Sequence, residues 1–370
     1  MRDLESTLRD SLRTAGAAYT PADVAGARER FQQRRRRRSV GMWTGAAAVA
    51  GATAVAAFLM LPDPVTDSGR DRIRPALGPT RAVVAATIRV ADGPSGVAVG
   101  DGFAWIASAR DGVVSKIDPT RDSVVETFPV ERADDVQVRS GYAWVVSEKG
   151  ALTRVATKTG TIDRLGVVGA GGHLDIAAGL GDIWLQESGA DLHRIDAATG
   201  EEVAAFGVGR DPTDVSVMDG MVWIYDRASG RVLRVAPGDG DVLDSTVVGV
   251  TASQDLRSAA GFTWFFRGND GTLLQLAQDT GDVVHEITLG GTFGAVATDK
   301  DAIYVMVTEG GATGTGEGTL YRIDANSAER LGEPIALSGV PFDVEAGEGA
   351  VWVTHNESDS VTRVGFEMAR

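Results

Sequence analysis

Two histidines are the first candidates in this chain for acid–base catalysis or metal binding. His173 and His355 fall in predicted loops, whereas His193 and His285 fall in predicted strands. An imidazole in a loop can serve as an acid–base group or a metal ligand near neutral pH. No Ser-His-Asp arrangement and no His-x-x-x-His spacing accompanies these histidines. We therefore predict no catalytic residue, no metal site and no cofactor, and the chain leans away from being an enzyme.

Charged and aromatic side chains of the same loops form the second group of candidates. These loops either lead into the first strand of a repeated unit or join its second and third strands, and together they make one side of the predicted fold, here called the loop face. Mixed charges with aromatic residues are typical of a polar binding surface carried by loops. For each residue the alternative is a solvated side chain without a ligand. The predicted ligand-binding residues are Arg110, Arg132, Lys149, His173, Arg210, Arg227, Arg267, Phe342 and His355.

A repeat with a period near 40 residues positions these loops. One aromatic residue marks each unit: Trp105, Trp144, Trp184, Trp223, Trp264, Tyr304 and Trp352. The steps between them are 39, 40, 39, 41, 40 and 48, and a Gly/Thr-rich insertion at 309–318 lengthens the last step. Each unit holds four short segments of alternating hydrophobicity separated by turn residues, which is the size and pattern of a β-propeller blade. The sequence therefore predicts an all-β fold, a seven-bladed β-propeller with four-stranded blades, over residues 82–370.

The first strand of most units begins at an aspartate. Five units carry the aspartate and two carry glycine in its place: Asp135, Asp175, Asp214, Asp255 and Asp343, then Gly96 and Gly294. A side chain that recurs in every blade indicates scaffold, so we predict that it forms a turn or an inter-blade hydrogen bond rather than a metal site. By the same argument, the repeated aromatic residue is predicted to fill the core between blades rather than to bind a ligand.

The order of the strands predicts how the ring closes. The fourth-strand pattern occurs once before the first tryptophan, at residues 86–90, and the chain ends on a third-strand pattern at residues 361–365. We predict that residues 86–90 supply the missing outer strand of the last blade. This pairing would leave no large unpaired edge between the first and last blades.

The repeat resembles a known family in the run Lys116-Ile117-Asp118-Pro119-Thr120 and its continuation to Val130. Together with the Gly-x-x-x-Trp motif, this run is similar to the YVTN-type, or surface-layer-like, seven-bladed propellers of bacteria, and the resemblance covers residues 82–370. The resemblance implies a propeller in an extracytoplasmic setting and no single activity. A looser resemblance to streptogramin B lyase propellers implies a histidine, acidic residues and a magnesium ion. His355 with Glu357 and Glu309 could imitate that set, but no motif carries it over.

The N-terminal quarter of the chain differs from the repeat. Residues 1–39 carry ten Arg against five acidic residues, whereas the whole chain has a net charge of −15. This basic segment is predicted to form a short helical cytoplasmic tail. Residues 40–61 contain no charged residue over 22 positions, which is long enough for a transmembrane helix. The five arginines at 34–38 predict that the N-terminus stays inside. Residues 62–81 are a Pro- and Gly-containing linker. A cleaved twin-arginine signal is the alternative to this anchor.

Charge and cysteine content limit the partners. The arginine run next to an apolar segment favours contact with anionic lipid headgroups. Nucleic acid is not expected as a partner, because the remainder of the chain is strongly acidic. Zero cysteines exclude disulfides, thiolate metal sites and a cysteine nucleophile.

Together these features predict a single-pass membrane protein with an extracytoplasmic propeller. Its predicted function is ligand or protein binding, or sensing, in the cell envelope, with a protein or small-molecule ligand at the loop face and a possible cytoplasmic partner for signalling through the tail. The alternatives are a lyase-like enzyme with a divalent metal at the channel mouth and a passive scaffold in an envelope complex.

Overall fold

The computed structural model describes residues 80–167, 174–189, 191–218, 220–251, 254–308 and 317–368. These residues form seven antiparallel sheets of four strands each, so the predicted seven-bladed propeller with four-stranded blades is confirmed. The predicted tail at 1–39, the transmembrane helix at 40–61 and most of the linker at 62–81 lie outside the described residues. Within the described part of the chain, no helix has the length and apolar character needed to cross a membrane.

The strands are numbered in chain order, and each blade runs from its innermost to its outermost strand. Blades 1 to 4 consist of β2 Pro94–Gly100, β3 Phe103–Ser108, β4 Val113–Asp118 and β5 Ser123–Pro129; β6 Ala133–Arg139, β7 Tyr142–Ser147, β8 Ala151–Ala156 and β9 Ile162–Val167; β10 Leu174–Gly179, β11 Asp182–Glu187, β12 Leu192–Asp196 and β13 Glu202–Phe206; β14 Pro212–Met218, β15 Met221–Asp226, β16 Arg231–Val235 and β17 Val242–Val247. Blades 5 to 7 consist of β18 Gln254–Ala259, β19 Phe262–Arg267, β20 Thr272–Ala277 and β21 Val283–Thr288; β22 Phe293–Thr298, β23 Ala302–Thr308, β24 Gly318–Asp324 and β25 Ile335–Leu337; β26 Pro341–Gly347, β27 Ala350–His355, β28 Ser360–Met368 and β1 Thr80–Arg89.

Tight two-residue turns join the first and second strands of most blades. In blade 1 the turn residues Asp101 and Gly102 have φ values of 54° and 84°. Two consecutive left-handed residues make a type I′ turn, whose twist matches that of the flanking strands. The same pairing of a non-glycine residue with a following glycine recurs at Ser140–Gly141, Leu180–Gly181, Ala260–Gly261 and Glu348–Gly349. These turns lie on the side opposite the loop face, here called the hairpin face.

The innermost strands follow one another around a ring, and β1 closes it. Each innermost strand contacts the innermost strand of the next blade, and β26 of blade 7 contacts β2 of blade 1. As the sequence predicts, the N-terminal strand pairs with the C-terminal strand, with Ile88 opposite Val361. The pairing extends further than residues 86–90, because β1 starts at Thr80 and continues through a bulge between Val84 and Ala86.

The repeated aromatic side chain fills the space between successive blades, as predicted. Trp184 of blade 3 is fully buried and packs with Val215, Val222 and Ile224 of blade 4. The other members are buried against the following blade in the same way: Trp105, Trp144, Trp223, Trp264, Tyr304 and Trp352. Burial of such large apolar side chains dominates the energetics of a protein core.

A second repeated contact comes from the cation of the third strand. The Nη1 of Arg154 in blade 2 donates to the carbonyl of Ala198 in blade 3 at 3.2 Å, and its guanidinium lies 4.4 Å from the ring centre of Tyr142. Equivalent donors reach the next blade's turn around the ring: Lys116 to Thr157, Arg194 to Pro237, Arg234 to Gln278 and, in blade 5, Gln275 to Ala325. We call this set the third-strand clamps.

The register of blade 6 corrects one sequence assignment. In blade 4 the residue opposite Trp223 is Ser216, two positions after Asp214. In blade 6 the residue opposite Tyr304 is Ala297, so Ala295, and not Gly294, holds the place of the repeated aspartate. The sequence obscured this because small residues fill all four positions from Gly294 to Ala297.

Candidate functional site

The aspartates at the start of the innermost strands link neighbouring blades. Asp175 accepts hydrogen bonds from the backbone N–H of Ile176 at 3.0 Å and from that of Val215 in the next blade at 2.7 Å. Asp343 likewise joins Val344 and Val97 of blade 1, and Asp255 accepts from Val296 of blade 6. The inter-blade role predicted for these side chains is confirmed at Asp175, Asp255 and Asp343.

Five acidic side chains and one arginine gather in the central channel, which is the space enclosed by the innermost strands. Arg257 of blade 5 pairs through Nη1 with Asp255 Oδ1 at 2.7 Å. The guanidinium also interacts electrostatically with carboxylates of blades 3 and 7. Asp175 and Asp255 are buried, and the other four side chains are half-buried. We call this set the channel cluster: Asp135, Asp175, Asp255, Arg257, Asp343 and Glu345.

Burial in the channel changes the proton affinity of the cluster. Burial raises the pKa of Asp343 to about 7 and that of Glu345 to about 8, although the attraction of Arg257 opposes both shifts. Burial also raises the pKa of Asp135, and the nearby carboxylate of Asp343 adds to this effect. The pKa of Arg257 is raised because the surrounding carboxylates, Asp255 above all, outweigh the cost of burial. Arg257 therefore stays charged while some of its acidic neighbours hold protons near neutral pH.

An aromatic pair stands at the loop-face mouth of this channel. Phe342 is the second residue of β26 and directly precedes Asp343, and Phe293 is the first residue of β22. The ring centres are 6.1 Å apart and both side chains are half-buried. Phe342 is one of the predicted ligand-binding residues, and Phe293 gives it an apolar contact next to Asp343 of the channel cluster.

The predicted ligand-binding arginine of blade 1 ties that blade to blade 7. Arg110 forms an ion pair between Nη1 and Asp92 Oδ1 at 3.0 Å. Its Nη2 donates to Asn356 Oδ1 at 2.7 Å and lies 3.4 Å from Glu357 Oε1.

Two predicted cations of blade 2 pair crosswise between neighbouring loops. Lys149 Nζ lies 2.9 Å from Glu131 Oε1, and Arg132 forms an ion pair with Glu148. Glu131 and Arg132 belong to the connection that leads into β6, whereas Glu148 and Lys149 belong to the β7–β8 turn. The crossed pairs hold the two loops together.

The cations of blade 4 also contact their own loops. Arg227 donates through Nε and Nη2 to the two carboxylate oxygens of Asp211, at 2.8 and 3.3 Å. Arg210 uses its backbone N–H, which donates to Asp226 Oδ1 at 3.1 Å.

Arg267 of blade 5 lies at the end of a strand and not in a loop. It is the last residue of β19 and pairs with Asp270 at 2.8 Å and with Glu286 at 3.1 Å. Arg110, Arg132, Lys149, Arg227 and Arg267 thus each have an acidic partner within the described residues, and these pairs stabilise the connections of the loop face.

The structure describes only one of the two histidines that were predicted to lie in loops. His173 lies outside the described residues. His355 is the last residue of β27 and not a loop residue; it is buried, and its Nε2 lies 2.8 Å from Thr362 Oγ1. Burial lowers the pKa of His355 to about 4, so its imidazole is neutral at physiological pH. Glu357, which the sequence placed beside it, instead contacts Arg110.

One surface cleft of the loop face brings two predicted residues together. Arg110 and Arg132 line a cavity of about 290 Å³ between blades 1 and 2. Asp111, Glu131 and Glu148 complete its charged lining, so both signs of charge are present. In the part of the chain that the structure describes, no group of three or more acidic or histidine side chains is arranged to hold a metal ion.

Sequence reasoning missed Arg257 and Glu345. Both lie two positions after the repeated aspartate, opposite the repeated tryptophan. Small or uncharged residues occupy the same place in the other blades: Ala98, Gln137, Ala177, Ser216 and Ala297. Alignment of the seven units at their tryptophans would have revealed these two charges as departures from the repeat.

Comparison with known proteins supports the fold. BamB from Moraxella catarrhalis, one of 1629 matching chains of known structure, aligns with a TM-score of 0.53 and 14% identity over 74% of this chain and 86% of that chain. At this identity the likeness extends to the propeller architecture alone. No protein-family model and no curated protein sequence matches the chain.

Proposed function

We propose that this chain is a membrane-anchored binding module of the cell envelope, with its propeller outside the cytoplasm and its ligand site at the loop-face mouth of the central channel. The observation that carries the proposal is the break in the repeat at this mouth. Phe293 and Phe342 form an aromatic pair there, and Phe342 directly precedes Asp343 of the channel cluster, in which Arg257 is the single arginine. Binding sites combine apolar surface with a few convergent polar groups, and this mouth has both.

The sequence supports the anchored arrangement. Residues 40–61 are uncharged and follow five arginines, which favours a helix that leaves its N-terminus inside. The resemblance of the repeat to YVTN-type propellers agrees with an extracytoplasmic location, and membership of that family is part of this proposal.

Topology is the first test. A reporter that is active only outside the cytoplasm is fused after residue 370 of the full chain, and a second reporter that is active only inside serves as the matched control. We expect activity from the first fusion alone, with a product of full-length size. Activity from the second fusion would overturn the outward location, and a product shortened near residue 61 would overturn the anchor.

The location of the ligand site has its own test. A photo-crosslinking residue replaces Phe342 at the channel mouth, and in a control chain it replaces the exposed Lys158 on the hairpin face. We expect a cross-linked product in cells from position 342 and none from position 158. Equal products from both positions, or a product from position 158 alone, would contradict a site at the mouth.

A further inference from the structure

Exposed aliphatic side chains are concentrated on two adjacent outer strands. The described residues include ten large apolar side chains that are exposed, and five of these lie on β17 of blade 4 and β21 of blade 5. They are between 41 and 61% exposed. We call this set the rim patch: Val242, Leu243, Val247, Val283 and Val284. Apolar side chains grouped on the outside of a protein mark an interaction site more often than scattered single residues do.

Hydrogen bonds from blade 4 reach the turn that precedes β21 of blade 5. Arg234 Nη1, on the strand beside β17, donates to the carbonyl of Gln278 in the turn before β21 at 3.0 Å. Thr246 of β17 donates through Oγ1 to the carbonyl of Gly281, three residues further along the same turn. These hydrogen bonds hold β17 against the segment that leads into β21, so the patch spans the border of blades 4 and 5.

A repeated bulge accounts for part of this exposure and supplies a comparison. Leu243 and Val284 are each skipped in the register of the third and fourth strands, and Val125 and Val203 are skipped at the same place in blades 1 and 3. A bulged edge strand is a poor template for pairing with a further strand. The rim patch is therefore suited to contact through side chains and not through the backbone.

Acidic residues are frequent in the chain segments that carry the rim patch. Residues 236–250 and 278–290, which include β17 and β21, contain six acidic residues and no Lys or Arg. The corresponding segment of blade 2, residues 157–167, contains Lys158 and Arg164 with a single acidic residue. Blade 3 shares part of this character, since its residues 197–208 contain Glu201 and Glu202 and no Lys or Arg, but the acidic excess is greatest in blades 4 and 5.

We propose that the rim patch docks a protein segment that presents aliphatic side chains flanked by Lys or Arg. The aliphatic side chains of such a partner cover the five exposed residues, and its cations meet the acidic residues of these segments, as complementary interfaces require. The same acidic residues repel a second copy of this chain and an anionic membrane surface. This site is separate from the channel mouth, so either proposal can fail without the other.

The test uses a synthetic peptide of Lys, Leu and Ser and the same peptide with every Lys replaced by Glu. Binding to the full chain is measured by fluorescence anisotropy at low salt. Leu243→Ser with Val284→Ser removes apolar surface from the patch. Val125→Ser with Val203→Ser is the matched control, because these residues occupy the same bulge in blades 1 and 3 and are similarly exposed. Equal melting temperatures of the two double variants show that both remain folded.

We expect the Lys peptide to bind, the Glu peptide not to bind, and the patch variant to lose at least fivefold in affinity while the control variant changes less than twofold. An equal loss in both variants, or equal binding of both peptides, overturns the proposal. Dimers of the chain that the patch variant abolishes, seen by sedimentation, would assign the surface to self-association instead. Binding to anionic vesicles that is lost in the patch variant would assign it to a membrane.

Discussion

The hairpin face and the central channel both join blade to blade, but by opposite rules. At the hairpin face, the third-strand clamps use nearly the same donor and the same acceptor turn in successive blades. In the channel, the position opposite each tryptophan changes from blade to blade, and only here does the described chain place an arginine among five carboxylates. Blade 5 shows the contrast in one sheet, because its clamp is the neutral Gln275 while Arg257 of its innermost strand faces the channel. Repetition therefore marks the scaffold, and departure from repetition marks the place to look for function.

The largest effect is expected from removing the positive charge of Arg257, which tests whether the channel differs from the repeated clamps. Arg257→Met leaves the carboxylates of the cluster without their positive partner. Breaking a largely buried ion pair from one side is strongly destabilising, and we expect a loss of about 3 kcal/mol in the free energy of unfolding at pH 8. Urea denaturation measures this loss. At pH 5 the loss should be smaller, since more of the carboxylates are protonated.

Arg231→Met is the matched control for this prediction. Its guanidinium donates to Ser245 at 3.0 Å on the outer half of blade 4, away from the channel. We expect a loss below about 1 kcal/mol and no dependence on pH. Similar losses for the two variants at both pH values would show that the channel cluster has no special electrostatic role.

Titration of the cluster sharpens the comparison further. The pKa of Glu345 is raised to about 8 and that of Asp343 to about 7, so the folded state binds these protons more tightly than the unfolded state does. This contribution to stability is complete at acidic pH and is lost as the pH rises through 7 and 8. We expect the melting temperature to fall by several degrees between pH 6 and pH 9. Glu345→Gln should flatten this part of the profile, and an unchanged slope in that variant would count against the assignment.

A repeated clamp should cost less than the channel arginine. Arg154→Met removes the hydrogen bond to Ala198, an ion pair with Asp163 at 3.1 Å and the contact with Tyr142. We expect a loss of about 1–2 kcal/mol that is the same at pH 5 and pH 8. Arg154→Lys, measured in the same way, should recover part of it. A loss equal to that of Arg257→Met would erase the distinction between the two regions.

The smallest predicted effect is a difference in stability cost between two of the repeated tryptophans, Trp184 and Trp352. Trp184 Nε1 donates to the carbonyl of Gly179 at 3.3 Å, whereas Trp352 Nε1 is buried without a hydrogen-bond partner among the described residues. Replacement by Phe shrinks both side chains, but at position 184 it also leaves a carbonyl without its donor. Trp184→Phe should therefore cost about 0.5–1 kcal/mol more than Trp352→Phe in urea denaturation. Equal costs would mean that the hydrogen bond is energetically neutral.

The features that the sequence could predict are those that recur. The 40-residue spacing of the tryptophans, the aspartate that begins most innermost strands and the early fourth-strand pattern were enough to predict the seven blades and the closing strand. Each of these signals is repeated, so an error in one unit does not hide the pattern. Even so, the run of small residues from Gly294 to Ala297 shifted one unit by a residue, because register there depends on the pairing partner.

The site could be predicted far less well, because it depends on which side chains meet across blades. The sequence placed Arg110 and Arg132 on the loop face, but it could not show that each faces an acidic partner. It placed His355 in a loop, although pairing with Pro341 and Ser360 makes it the buried end of a strand. Arg257 lies in blade 5 and Glu345 in blade 7, with blade 6 between them, and their proximity follows only from the closed ring.

The closure of the last blade by β1 has a kinetic consequence. The hydrogen bond from Gly93 to Asp359 joins positions that are 266 residues apart in the chain. Contacts of such long range form slowly, since the entropy of closing the loop is lost before the contact contributes. Blade 7 can be completed only when the final strand has been synthesised. Until then β1 has no strand to pair with. The junction of the first and last strands is therefore the step at which this chain is most exposed to misassembly and where a folding helper would have the greatest effect.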